Sequence, residues 1–286
     1  MFKRVLVSLD LSPATEALVS ALPGLKEFGT EEINLAHAVK DVEYPISQTL
    51  SKTDDTRKRL RALGQRLEEH GFQVTVDVVA GGPATEITRV ARQREADVIL
   101  VGTRSHSRIY EAFVGSVAWE IVRRARRPVL LQRIEANRPD PEAALESPST
   151  GLPDRVVHAT DLSETAQRAI PWLEELARVG VGSFTLVHSL TDEGEESRED
   201  VNFKLEGLAG QLRAAGASEV QVEIRRGSPA DSILALGGRD PRVMVVMGTH
   251  GRAVLPEMVL GSESRQVVRQ AAARVLLIPR PDVEEE

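Results

Sequence analysis

The chain has 286 residues, with 36 basic and 43 acidic side chains and a formal charge of −7 at pH 7. That balance argues against a general nucleic-acid binder, whose domains run basic, and an aromatic content of 3% argues against a base-stacking platform. Cysteine is absent, which excludes disulfides, thiolate zinc sites, iron–sulfur clusters and cysteine nucleophiles and fits a reducing cytoplasm.

The opening run from Lys3 to Leu9 is apolar after two positive charges, and Asp10 cuts it too early for a signal peptide. No apolar stretch approaches the roughly 20 residues that span a bilayer. β-Branched runs at 4–9, 33–38, 73–79, 97–101 and 129–132 read as strands. The fourth is apolar almost throughout, as expected for a parallel strand covered on both faces. Ser12 is placed to cap a helix with Pro13 in its first turn. Gly102-Thr103-Arg104-Ser105 reads as the loop after the fourth strand. From Ser116 to Arg127, Val117, Ile121, Val122 and Ala125 share one helical face. Arg123, Arg124, Arg126 and Arg127 follow near the helix end, where the macrodipole favours cations. Residues 135–153 hold Pro139, Pro141, Pro148 and Pro153 with little apolar content and read as a solvated linker. The last glutamates read as a frayed tail.

The chain then repeats itself. Val5 to Ser12 matches Val156 to Ser163, and Leu35-Ala36-His37 matches Leu186-Val187-His188, both at an offset of 151. Gly81-Gly82-Pro83-Ala84 matches Gly227-Ser228-Pro229-Ala230, and Gly102 and Gly115-Ser116 match Gly248 and Gly261-Ser262, at an offset of 146. Constant offsets over such lengths mean a duplicated domain, here 1–134 and 154–281, rather than a solenoid. Five strands alternating with four helices in each copy predict an α/β fold: a parallel sheet in order 3-2-1-4-5 with helices on both faces.

In such a sheet a ligand binds beyond the carboxyl ends of the strands, where the strand order reverses. That point lies between strands 1 and 4. Asp10 and Asp161 follow strand 1; Gly102 and Gly248 follow strand 4. Glycines there let backbone amides approach a ligand closely. A Gly-Ser pair opening the last helix offers free amides to an anion. Asp161 suits a base or ribose better than a phosphate. Each feature also has a plain reading: a turn, a helix cap, or, for His37, His188 and His158, a core histidine.

The spacing Gly-x-x-Gly-x9-Gly-Ser after the fourth strand, the strand ending in Asp-x-Ser, the Leu-x-His strand and Arg-Pro-Val-Leu-Leu resemble the universal stress protein family, in both copies. The resemblance implies Rossmann-like domains of the adenine nucleotide alpha hydrolase-like type that often bind ATP, with Mg2+ as a possible companion. Carried over, Asp161, Ser189 and Leu190 would meet the adenine side, and Met247 would belong to the same nucleotide site. Gly248, His250, Gly251, Arg252, Gly261 and Ser262 would surround ribose and phosphates. The first copy would use Asp10, Ala38, Val39, Gly102, Arg104, Gly115, Ser116 and Val117. That copy has Ser105 where the second glycine belongs. The second copy has Glu263 where the first has Val117, a carboxylate that would repel a triphosphate if it pointed inward.

The reading is an ATP-binding regulatory protein of the stress response with little or no catalysis. No Gly-x4-Gly-Lys-Ser/Thr phosphate loop or Gly-x-Ser-x-Gly nucleophile elbow occurs. Two alternatives stay open: a slow ATPase or adenylate-transferring enzyme, and an interaction scaffold that binds no nucleotide. No nucleic-acid or membrane partner is expected. The resemblance implies pairing of domains through the last strand. Here the pair can form within one chain, with homodimerisation of the whole chain open.

Overall fold

The computed structural model describes residues 2–39, 46–105, 115–135, 150–190, 197–250 and 261–280, with 46–52, 104, 105 and 135 described by backbone alone. The chain divides into two compact units between Gly151 and Leu152. The fold class agrees with the sequence expectation.

In the first unit, β1 (Arg4–Ser8) is followed by α1 (Ala14–Ala21) and a 3-10 segment, Leu22–Phe28. Then come β2 (Glu32–Val39), α2 (Ile46–Glu69), β3 (Gln73–Ala80), α3 (Pro83–Gln93), β4 (Val98–Ser105), α4 (Ser116–Arg124) and β5 (Val129–Glu135). β1 pairs in parallel with β2 and β4, β2 with β3, and β4 with β5, giving the order 3-2-1-4-5. The central strands are buried on both faces: Val5, Leu6, Val7, Ile99 and Leu100 are all closed to solvent. This is why they read as continuous apolar runs rather than alternating ones.

The second unit repeats the plan with β6 (Arg155–Ala159), α5 (Glu164–Gln167), α6 (Ile170–Arg178), β7 (Ser183–Leu190), α7 (Arg198–Ala215), β8 (Glu219–Arg226), α8 (Pro229–Ile233), β9 (Val243–Gly248), α9 (Ser262–Gln270) and β10 (Arg274–Ile278). β6 pairs with β7 and β9, β7 with β8, and β9 with β10, again in parallel. After α8 the helix widens into a π turn, Leu234–Gly238, where the first copy has one continuous helix. Gly237 is the reason. Its φ is +152°, and a Cβ there would meet Arg155 Nη2 at 3.1 Å and Val243 Cγ1 at 3.2 Å, so only glycine fits.

Three sequence readings are corrected. Ser12 does not cap α1: the cap position is Pro13, and Ser12 Oγ is buried with no partner among the described residues. Asp10 turns the chain there instead, its Oδ1 accepting from Ser12 N at 3.0 Å. Gly102-Thr103-Arg104-Ser105 is not a loop, because β4 carries straight on through Ser105, paired with Gln132 through Glu135. The end of the expected solvated linker is buried: the Thr150 hydroxyl donates to Ala21 O, a Cβ on Gly24 would collide with the backbone of Gly151, and one on Gly151 would meet the Glu27 carboxylate. The remainder of that segment, 136–149, lies outside the described residues.

Candidate functional site

The crevice end of each sheet is built by the turn after the first strand. In both copies an aspartate, a leucine and a serine make it. Leu11 has φ +54° and Leu162 has φ +60°, left-handed backbone that costs a leucine about 1 kcal/mol or more. The aspartates hold it in place. Asp10 Oδ1 accepts from Ser12 N, and Asp161 Oδ1 accepts from Ser163 N at 3.1 Å and Ser163 Oγ at 2.6 Å. Ser163 Oγ in turn caps α5, accepting from Ala166 N at 3.2 Å. The helix-cap reading of the two aspartates is corrected: α1 has no side-chain cap and Ser163 caps α5, so each aspartate instead serves the turn before its helix, through one oxygen of its carboxylate. The side chain of Asp10 is exposed and that of Asp161 half-buried.

The strand histidines brace the same turn. His37 Nδ1 lies 2.7 Å from Leu9 O, and His188 Nδ1 lies 2.9 Å from Thr160 O. A carbonyl only accepts, so each Nδ1 carries the proton and donates. His158 differs. It is 1% exposed in the middle of β6, with Nδ1 3.0 Å from Val246 O. Burial pushes its pKa down to about 4, against a smaller upward pull from the Val246 carbonyl. It is a neutral core histidine and not a ligand.

The second half of the crevice comes from β9 and α9. Ala159 pairs with Met247, so Asp161 and Gly248 leave neighbouring strands at the same end of the sheet. β9 stops at Gly248 and the backbone bends at Thr249: a Cβ on Gly248 would lie 3.1 Å from His250 O. Thr249 N donates to Ile278 O, and Gly261 N donates to Thr249 O at 3.0 Å, drawing the start of α9 to this turn. Ser264 Oγ donates to Gly248 O at 3.1 Å and fastens the first turn of α9 beside the strand end. The cap position of α9 is Gly261, with no side-chain cap. The N–H groups of Ser262, Glu263 and Ser264 thus have no acceptor within their helix. Ser262 is the first helical residue, not the cap.

Glu263, in the first turn of α9, is engaged by another helix. Its Oε2 accepts from Ala230 N at 2.7 Å and from Ser228 Oγ at 3.3 Å, closing the N-terminus of α8. Gln266 Nε2 donates to Asp231 Oδ1 nearby. The carboxylate is thus engaged by a neighbouring helix start. Sequence reading missed this bond. Its signal was present: at matching positions the first copy has Gly82 with Val117, the second Ser228 with Glu263.

The other named residues divide as follows. Met247 is buried beneath the turn. Ser189 Oγ donates to Ser232 Oγ at 3.2 Å, and Leu190 ends β7. His250 Nδ1 is 2.9 Å from Thr249 Oγ1. Ala38 and Val39 close β2, and Gly102 lies within β4. Gly115 caps α4 without a side-chain bond, and Ser116 and Val117 follow as its first residues. Gly251 and Arg252, and the side chain of Arg104, lie outside the described residues. Arg123 and Arg124 both donate to Glu120 Oε2 in the last turn of α4, in keeping with the plain reading of that basic run.

A cavity of about 960 Å³ lies at the opposite end of the second sheet, beside Arg155, Asp240 and Arg242. Two of its guanidiniums are engaged: Arg155 Nη2 donates to Leu236 O and Arg242 to Asp240. Among the described residues no group of His, Asp or Glu side chains is gathered to hold a metal ion. No described helix is long and apolar enough to cross a membrane.

Comparison with known proteins assigns the family. The model of the universal stress protein family matches residues 1–133 and again 153–279. A universal stress protein of Methanocaldococcus jannaschii is 24% identical over 153 residues, covering 46% of this chain and 94% of its own. One from Mycobacterium tuberculosis is 28% identical over 228 residues, covering 73% of this chain and 66% of its own. The crystal structure of a universal stress protein from Archaeoglobus fulgidus superposes with a TM-score of 0.79 at 23% identity, covering 98% of this chain and 100% of that one, and so shares the fold. The chain belongs to the universal stress protein family, carrying that domain twice in tandem.

Proposed function

We propose that this tandem universal stress protein is a stress-response regulator that binds an adenine nucleotide, ATP foremost, at the crevice end of its second domain. The observation that carries the reading is the pairing of a glycine turn with an open helix start: β9 ends at Gly248 under the returning His250 carbonyl, and α9 begins uncapped beside it, pinned by Ser264. Amides at a helix N-terminus suit phosphate oxygens. The macrodipole alone supplies only about 0.3–1 kcal/mol, so several N–H groups must converge on the anion. Asp161, two residues beyond β6, supplies an acceptor for the base or ribose. Magnesium, if it accompanies the triphosphate, would be held chiefly by the nucleotide's own oxygens. Turnover is absent or slow: the sequence holds no Gly-x4-Gly-Lys-Ser/Thr phosphate loop and no Gly-x-Ser-x-Gly nucleophile elbow.

Calorimetric titration of the ligand-stripped chain with ATP tests this. Micromolar affinity, about −8 kcal/mol, is expected, with weakening in Asp161→Ala. No heat from the folded, stripped protein would contradict it. Pairing of the last strands of the two domains within one chain belongs to the same proposal. Light scattering that returns the mass of a single chain supports an intrachain pair, and an obligate homodimer argues against it.

A further inference from the structure

The two copies part company at the crevice itself. In the second, β9 ends at Gly248, paired with Ile278, the last residue of β10, and the backbone bends at Thr249, bringing His250 O to 3.1 Å from where a Cβ on Gly248 would lie. In the first, the matching strand does not stop. Beyond Gly102, Thr103, Arg104 and Ser105 stay in register with Arg133, Ile134 and Glu135. Three more strand residues at about 3.3 Å each carry the backbone roughly 10 Å straight on. The three residues that match Thr249, His250 and Gly251 at the 146 offset are thus zipped into the sheet.

The same glycine consequently serves two ends. A Cβ on Gly248 would press on the returning backbone of its own loop, whereas one on Gly102 would lie 2.5 Å from Ile134 Cδ1 and 3.3 Å from Leu18 Cδ2. Ile134 is only 8% exposed. Its counterpart at the 146 offset is Arg280, past the end of β10, and that of Leu18 at the 151 offset is Ala169. Aliphatic side chains thus lie against the first copy's strand 4 where the second copy has a smaller residue and no strand partner. The sequence agrees independently: Ser105 stands where the turn would need its second glycine.

Resting on the nucleotide reading above, we infer that the chain binds a single nucleotide, in the second domain, and that the extension of β4 and β5 leaves the first domain without the turn after strand 4 that would receive one. The duplication has then left one binding copy and one copy free of ligand. The first copy's β4–β5 edge is kept as structure rather than as a loop that answers to nucleotide.

The test uses the full chain, stripped of ligand. Equilibrium dialysis with radiolabelled ATP gives the stoichiometry, and photolabelling with 8-azido-ATP followed by peptide mass spectrometry gives the place. One nucleotide per chain at saturation, with label suppressed by excess ATP only in peptides from 154–281, is the expected result. Two nucleotides per chain, or ATP-suppressible label in peptides from 1–134, would overturn the inference and leave the nucleotide reading standing. No binding at all would overturn that reading and the inference with it.

Discussion

His158 makes the second domain acid-sensitive in a way the first is not. The first copy has Val7 at the same place in its first strand. The buried imidazole titrates at about 4 in the folded chain against a usual value of 6.5. Above pH 6.5 it is neutral in both states, and its contribution to stability is fully present. As the pH falls from 6.5 toward 4 the unfolded chain takes up a proton that the folded chain refuses, so stability falls throughout that window. The whole gap is worth about 3 kcal/mol, and about 2 kcal/mol of it is lost by pH 4.5. His158→Val substitutes the first copy's residue. Urea unfolding at pH 7 and pH 4.5, followed by Trp172 fluorescence in a Trp119→Phe background, reports on the second domain. The parent should lose about 2 kcal/mol more than the His158→Val protein between the two pH values. The comparison cancels carboxylate effects common to both and any fixed cost of losing the bond to Val246 O. Equal losses in the two proteins would refute the reasoning.

Further outcomes follow from contacts already described. Glu263→Val should destabilise the second domain by about 1 kcal/mol, the usual worth of a helix cap, while Glu263→Gln, which keeps an acceptor for Ala230 N, should cost less. Equal denaturation midpoints for Glu263→Val and the parent would contradict the bond. Gly102→Val should cost the first domain about 1–3 kcal/mol, because Ile134 and Leu18 already fill that space, and Ile134→Ala should relieve much of the loss in a double-mutant cycle. Purely additive costs would mean that the two positions do not touch. His188→Phe should cost about 1–3 kcal/mol by leaving Thr160 O without its donor, read as a lowered unfolding midpoint at pH 7, and an unchanged midpoint would dismiss the brace.

Much of this architecture can be read in the residues because the signals are redundant. Val98-Ile99-Leu100-Val101 has no polar face, which fits only a strand covered on both sides, and two copies of the same order double the information. The sequence also locates the crevice through Asp161 and Gly248, since strand ends at a reversal of order must carry the special residues. What escaped is contextual. Thr103 through Ser105 resembles a loop until its partner strand is known. Pairing is decided jointly with Arg133, Ile134 and Glu135, and no local propensity shows that. Glu263 resembles an obstacle to phosphate until α8 is placed beside it, about thirty residues away in sequence. The break after α8 was foreshadowed by Gly237-Gly238. Its cause, the close approach of Arg155 and Val243, is a tertiary fact.

Hydrogen exchange, read by mass spectrometry on the stripped chain with and without ATP, addresses the role of main-chain nitrogens most directly. ATP should slow exchange in peptides spanning 261–267, where the N–H groups of Ser262, Glu263 and Ser264 open α9, and leave 115–121 at the start of α4 unchanged. Saturating ATP that left 261–267 exchanging at its unliganded rate would contradict the account.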